Sequence, residues 1–242
     1  ETSEFDPFLL LDDFRNDDPA AYRAGFPWHP HRGIETITYV LAGSVDHGDS
    51  LGNHGTLGAG DVQWMTAGSG IMHQEMPHGD AQGRMHGFQL WANLPSQLKM
   101  TTPRYQDVKS KDIAEETDDD GTKVRVIIGD FWGKRGPVEG IAANPCYLDV
   151  SVPPGKKKRL KIDTRANAHR VHHRFRLLQF PRHLFPGSQA PRTGRGRVLV
   201  ATISDHHHHP SSLLPVEPAQ RIEQRVVQRR RDNRRNLGRT EA

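Results

Sequence analysis

Over the first 160 residues, apolar and polar positions change places with a period close to two, the spacing of half-buried β-strands. The stretch FDPFLLLDDF (Phe5–Phe14) is a short apolar run bounded by acids and predicts a buried strand. NDDPAAYRAGFP follows as a loop. From Ile34, the residues Ile34, Thr36, Thr38 and Val40 alternate with Glu35, Ile37, Tyr39 and Leu41, and one strand is read through to Asp49. Its β-branched and aromatic side chains fit a strand covered on both faces. Leu51–Asp61 holds four glycines in eleven residues, a run of tight turns. VQWMTAGSGIMHQEM returns to strand, interrupted at AGSG, and GRMHGFQLWANLP gives another, ended by Pro95. After an acidic loop (AEETDDDG), KVRVIIGDFWG and PCYLDVSVPPGKKK continue the pattern. Short strands at close spacing, separated by glycine turns, predict an all-β sandwich or barrel.

Composition sharpens this picture in two ways. With 23 Gly and 17 Pro in 242 residues, a turn-rich β chain is favoured over a helical bundle. Cys146 is the single cysteine, which excludes an intrachain disulfide and a Cys-based zinc site. No apolar run reaches the roughly 18 residues of a membrane span. No basic segment leads into an apolar one as in a secretion signal, so a cytoplasmic setting without membrane contact is expected.

Charge divides the chain. From Arg159 onward there are 17 Arg, one Lys and six acids, a balance of +12, which leaves −8 for residues 1–158 within the total of +4. Past Arg159 the period-two pattern is lost. RIEQRVVQRRRDNRRNLGR has the makings of a short basic helix without a broad apolar face.

The chemistry concentrates in histidines. In an extended chain, residues i and i+2 share a face, so His29 and His31 can aim both imidazoles into one cavity. His73 and Glu75 stand in the same relation. Two such pairs on neighbouring antiparallel strands would converge on one ion. Three imidazoles and a carboxylate suit Fe, Mn, Ni, Cu or Zn and leave an octahedral ion two open positions. Glu35 is a second candidate carboxylate, sharing the face of His31 by parity. Trp64, Met65, Met72, Met76, Phe88 and Trp91 are either cavity lining or plain core. His47, His54, His78 and His86 read as loop or surface residues, and Arg32 as one half of a surface salt bridge.

GFPWHPHRGIETITYVLAG followed by GTLGAGDVQWMTAGSGIMHQEMP resembles the two cupin signatures, in the form found in pirins. The first motif falls on Gly25, His29, His31, Glu35 and Gly43, and the second runs from Gly60 to His73. The resemblance spans roughly Phe5 to Lys158. It implies a cupin (jelly-roll) barrel, the N-terminal one of a bicupin with an incomplete second barrel. It also implies one iron ion held by His29, His31, His73 and Glu75, with Glu75 doubling as the catalytic base and Glu35 left to the cavity wall. The implied activity is that of a quercetin 2,3-dioxygenase, the oxygenolytic ring cleavage of a flavonol with release of carbon monoxide. The implied alternative is a non-enzymatic, metal- and redox-dependent partner of transcription factors or metabolic enzymes. The expected partners are a small aromatic, flavonol-like substrate and a protein, with the chain monomeric or dimeric.

The resulting layout is a metal-binding domain over residues 1–120, lacking its first strand or two, then an inter-domain segment and the start of a second cupin over 121–160. A basic tail without regular packing fills 161–242. Beyond Lys161 the pirin wording stops, and the Arg-, Pro- and His-rich text reads as an out-of-frame translation. The alternative is a nucleic-acid-binding extension through RRRDNRR, but aromatic residues for base stacking are scarce there. Nucleic acid is therefore not an expected partner.

Overall fold

The alternating stretches fold as strands in a computed structural model that describes residues 7–142, 145–161, 168–174 and 196–203. β1 (Phe8–Asp13), β3 (Ile34–Ala42), β6 (Val62–Thr66), β8 (His86–Asn93) and β9 (Arg104–Val108) form a first sheet, in the order β1-β8-β3-β6-β9. β2 (Phe26–His31), β4 (Ser44–Asp49), β5 (His54–Leu57) and β7 (Ile71–His78) form a second, in the order β2-β7-β4-β5. β10 (Ala114–Thr117), β11 (Lys123–Ile128), β14 (Pro145–Val152), β15 (Ala168–Arg174) and β16 (Gly196–Ile203) form a third, in the order β10-β11-β14-β16-β15. A hairpin of β12 (Asp130–Phe131) and β13 (Lys134–Arg135) completes the strands among the described residues. All pairings are antiparallel.

The run from Ile34 to Asp49, read above as one strand, is two. Gly43 sits at φ +77, and a Cβ there would collide with the His78 carbonyl oxygen. Only glycine fits, and the turn carries the chain from the first sheet into the second. The two sheets thus face each other as the walls of a barrel.

Alternation then assigns the faces of β3. Val40 packs inward with Val45, Leu57 and Met85. Ile37 and Tyr39 point outward into a core shared with Trp64, Phe88 and Leu90 of the same sheet and with Ile127 and Tyr147 of the third. Each such side chain contributes about 1.5–3 kcal/mol on full burial. Burial on both sides explains why β3 carries apolar, aromatic or β-branched residues at every position but Glu35. Val124, Val126, Leu148 and Val150 face the other way and form a separate core with Phe131.

Three further stretches differ from the sequence reading. Within the predicted loop, Pro19–Tyr22 makes one helical turn, started by Asp18, whose side chain accepts from the Ala20 amide at 3.0 Å. The acidic loop is in part strand β10, paired with β11, and its acids are neutralised by Lys123, 2.7 Å from Glu115, and Lys134, 3.1 Å from Glu116. The basic tail also contains structure: β16 pairs along β14 from Gly196↔Val152 to Ile203↔Pro145, and β15 pairs with β16. The VLVATI segment is β-branched and apolar, and the arginine-rich composition around it hid that signal. The RRRDNRR segment lies outside the described residues, as does His206–His209.

Candidate metal centre

The second sheet delivers the histidines. His29 on β2 lies directly opposite His73 on β7, and His31 lies opposite Ile71. On the other side of β7, Asp49 faces His73 and His47 faces Glu75. The reversal that leads into β7 depends on Gly68, at φ +50, where a Cβ would meet the Thr101 carbonyl oxygen.

The three imidazoles converge. One ligating atom from each of His29, His31 and His73 lies within 4.8 Å of the others. Ring centroids are 4.8 Å apart for His29–His31, 4.4 Å for His29–His73 and 5.0 Å for His31–His73. His29 Nδ1 is 2.8 Å from the Pro27 carbonyl, which can only accept, so that nitrogen carries a proton and the lone pair of the neutral ring belongs to Nε2. That Nε2 stands 3.1 Å from His31 Nε2.

Burial keeps His31 and His73 neutral. Burial first, and then the neighbouring His29, lower the His31 pKa to about 4. Burial, followed by the charges of His29 and His31, takes His73 to about 3. Neutral imidazole is the form that ligates metals. Both ring nitrogens of His73 are buried with no hydrogen-bond partner among the described residues, and a bound cation would satisfy the one that carries the lone pair. The donor set fits a borderline divalent ion.

Glu75 is buried beside this group, but its carboxylate is not one of the converging atoms. Thr38 Oγ1 donates to Oε1 at 3.0 Å, and Gln89 Nε2 donates to Oε2 at 2.8 Å. Gln89 is itself oriented, because its Oε1 accepts from Trp91 Nε1 at 2.8 Å. Burial raises the Glu75 pKa, against the two hydrogen bonds that lower it. The carboxylate lines a small cleft with Asp12, Phe14, Phe26, Thr38 and Gln89.

Glu35 is elsewhere. It sits on the outer face of β3, between the first and third sheets, accepts from Thr66 Oγ1 at 2.8 Å, and lines a cavity with Ile37, Trp64, Leu90 and Tyr147. Burial raises its pKa as well. The parity argument fails at Gly33, whose φ of +67 turns the chain between β2 and β3. Glu35 is therefore not part of the cavity wall around the histidines.

Of the six candidate lining residues, Trp91 stands at the centre, edge-on to His31 at 4.9 Å. Trp64 and Phe88 belong to the inter-sheet core, and Met65 packs with Ala67 and Ile71. Met72 is exposed on the outer face of β7, while Met76 lies against Gly25. Arg32 is exposed and donates to Met100 Sδ at 3.1 Å, where an ion pair was expected.

Residues 1–92 match the family model described as Pirin. A Caulobacter vibrioides pirin-like protein is 51% identical over 156 residues, covering 64% of this chain and 56% of the relative. A Vibrio cholerae protein provisionally named a quercetin 2,3-dioxygenase is 38% identical over 201 residues, covering 81% of this chain and 68% of the relative. The chain belongs to the pirin family. Among solved structures, an Acinetobacter baumannii quercetin 2,3-dioxygenase superposes with a TM-score of 0.63 at 29% identity, over 83% of this chain and 76% of that one. The all-β cupin architecture expected from the two motifs is the architecture found. The chain spans about half the length of the curated relatives it matches.

The pirin motifs pointed to the histidines but not to the residues that hold Glu75. Thr38 and Gln89 come from β3 and β8 of the opposite sheet, and nothing in their local sequence marks them. His47 and His86, read above as loop or surface, are buried on β4 and β8. His47 stacks on Tyr105 at 5.8 Å and lies 3.5 Å from Asp107. The alternation of Val45, His47 and Asp49, all buried on one face of β4, was the available signal.

Proposed function

We propose that this chain binds one iron ion through His29, His31, His73 and Glu75 and acts as a flavonol dioxygenase of the quercetin 2,3-dioxygenase type. One observation carries the reading: three converging imidazoles, two of them held neutral by burial, stand on the same sheet as a buried carboxylate. The names of several relatives and the Acinetobacter baumannii structure support the substrate class.

Iron bound there would supply Lewis-acid activation of the flavonol's 3-hydroxyl and 4-carbonyl. The chain's own residues do the rest. Phe14, Phe26 and Val45 give the cleft an apolar lining for a flat aromatic ring. Glu75 takes the proton from the substrate hydroxyl at a carboxylate oxygen, and its burial raises its affinity for that proton. Thr38 and Gln89 hold the carboxylate in place and stabilise its charged form. Trp91 closes the side of the cavity next to His31.

A second reading, a metal-dependent protein partner, is favoured by one feature. Trp28 and Met72 are 51% and 40% exposed on the strands that carry the histidines, an apolar surface suited to a protein contact. No helix among the described residues is long and apolar enough to cross a membrane. The deciding measurement is iron content together with quercetin-dependent oxygen uptake. Stoichiometric iron with flavonol-dependent uptake is expected. An iron-loaded protein that consumes no oxygen with flavonols would favour the binding role, and a His29→Ala variant that keeps its iron would overturn the ligand set.

A further inference from the structure

The outer face of β3 carries a buried polar cluster that takes no part in the proposed reaction. Tyr39 is fully buried and donates its hydroxyl to Asp149 Oδ2 on β14 at 2.6 Å. Arg125 Nη1 on β11 donates to the same hydroxyl at 2.7 Å. The guanidinium also donates to the Ser110 carbonyl at 2.9 Å, the Ser110 hydroxyl at 3.0 Å and the Gly60 carbonyl at 3.3 Å. Asp149 is 2% exposed.

Adhesion between the sheets does not require this cluster, because Ile37, Trp64 and Phe88 already meet Ile127 and Tyr147 around it. Burying charges is costly even when their hydrogen bonds are met, and an apolar contact of the same size would hold the sheets as well. What the cluster adds is direction, since each hydrogen bond fixes where Tyr39 must stand.

Alternation identifies what is being directed. Thr38, the residue before Tyr39, points to the opposite face and donates to Glu75. Gln89, directly opposite Thr38 in the β3–β8 register, provides the other grip on the same carboxylate. The roll of β3 about its own axis therefore sets both the outer hydroxyl and the inner one. We propose that Arg125, Tyr39 and Asp149 are positioning residues for the metal centre. Through β3, the third sheet sets the grip of Thr38 and Gln89 on Glu75, and so the carboxylate's place beside the histidines. This rests on the metal reading given under the proposed function.

Titration of the full chain with cobalt(II), read by its d–d absorption, tests the idea. The variants are Tyr39→Phe and Asp149→Asn, with Val124→Ala as the control. Val124 is fully buried on the far face of β11 and belongs to the other core, so its truncation loosens the third sheet without touching the cluster. Tyr39→Phe is expected to bind cobalt(II) about 10-fold more weakly than wild type and with altered bands. Val124→Ala is expected to unfold more easily yet to keep wild-type affinity and bands. If both cluster variants match wild type, or lose no more affinity than Val124→Ala, the positioning role falls and the metal reading stands. If the wild-type chain takes up neither cobalt(II) nor iron(II), the metal reading itself fails and this inference with it.

Discussion

Glu75 and Glu35 are both buried glutamates flanking the first sheet, and burial raises the proton affinity of each. Their surroundings differ in kind. Glu75 meets two donors from the opposite sheet, lies two residues from His73 on β7 and lines a small cleft. Glu35 meets Thr66 among mainly apolar neighbours, with the Arg104 charge acting on it and no imidazole beside it. A perturbed pKa marks a candidate site only where other chemistry converges on the same space. The inner face of the sheet carries the candidate chemistry, while the outer face joins the sheets and, through Tyr39, fixes the orientation of β3.

The sharpest way to break this division is at the histidines. His73→Ala should abolish stoichiometric iron uptake while the chain stays folded, with metal content and circular dichroism as the paired readouts. Retained iron would mean that the inner face is not a metal centre.

Next in size is the contrast between the carboxylates. Glu75→Gln should lower quercetin-dependent oxygen uptake by about 100- to 10,000-fold, the usual worth of a positioned base. Glu35→Gln should leave uptake within a few-fold of wild type. Equal losses in the two variants would erase the distinction drawn between the faces.

Stability supplies the converse. Trp64→Ala should cost about 3–5 kcal/mol in urea unfolding, as truncation of a large core side chain does. Trp91→Ala, half-buried beside His31, should cost less stability and instead change the substrate dependence of oxygen uptake.

The smallest effect is the pH response of the metal-free protein. His31 should stay neutral through its ordinary 6.5 and titrate near 4, seen in its imidazole NMR signals. Between those values an unfolded chain would bind a proton that the folded one refuses, so this group's contribution is greatest above pH 6.5 and is lost on acidification toward 4. The buried carboxyls of Glu75 and Glu35, with raised pKa values, act in the opposite sense. The imidazole must therefore be followed by itself. A midpoint near 6.5 would show that His31 is not enclosed as described.

By itself, the sequence determined the strand character of most of the first 160 residues and the two histidine-bearing motifs, because period-two patterning and H-x-H spacing are local properties of an extended chain. It could not show that the Ile34–Asp49 run divides at Gly43. That break depends on the His78 carbonyl, which comes from a strand on the far side of the turn. Parity along one segment misled for Glu35, because Gly33 reverses the chain between His31 and β3. VLVATI went unread within arginine-rich text until β14 was there to pair with it. Thr38, Gln89, Tyr39 and Asp149 look ordinary in sequence, and their roles arise from partners on other strands. The pirin resemblance had already singled out Glu75, but only tertiary structure supplied the reason Glu35 stands apart, since a side chain's face is set locally but what meets it there is set by the packing of sheets.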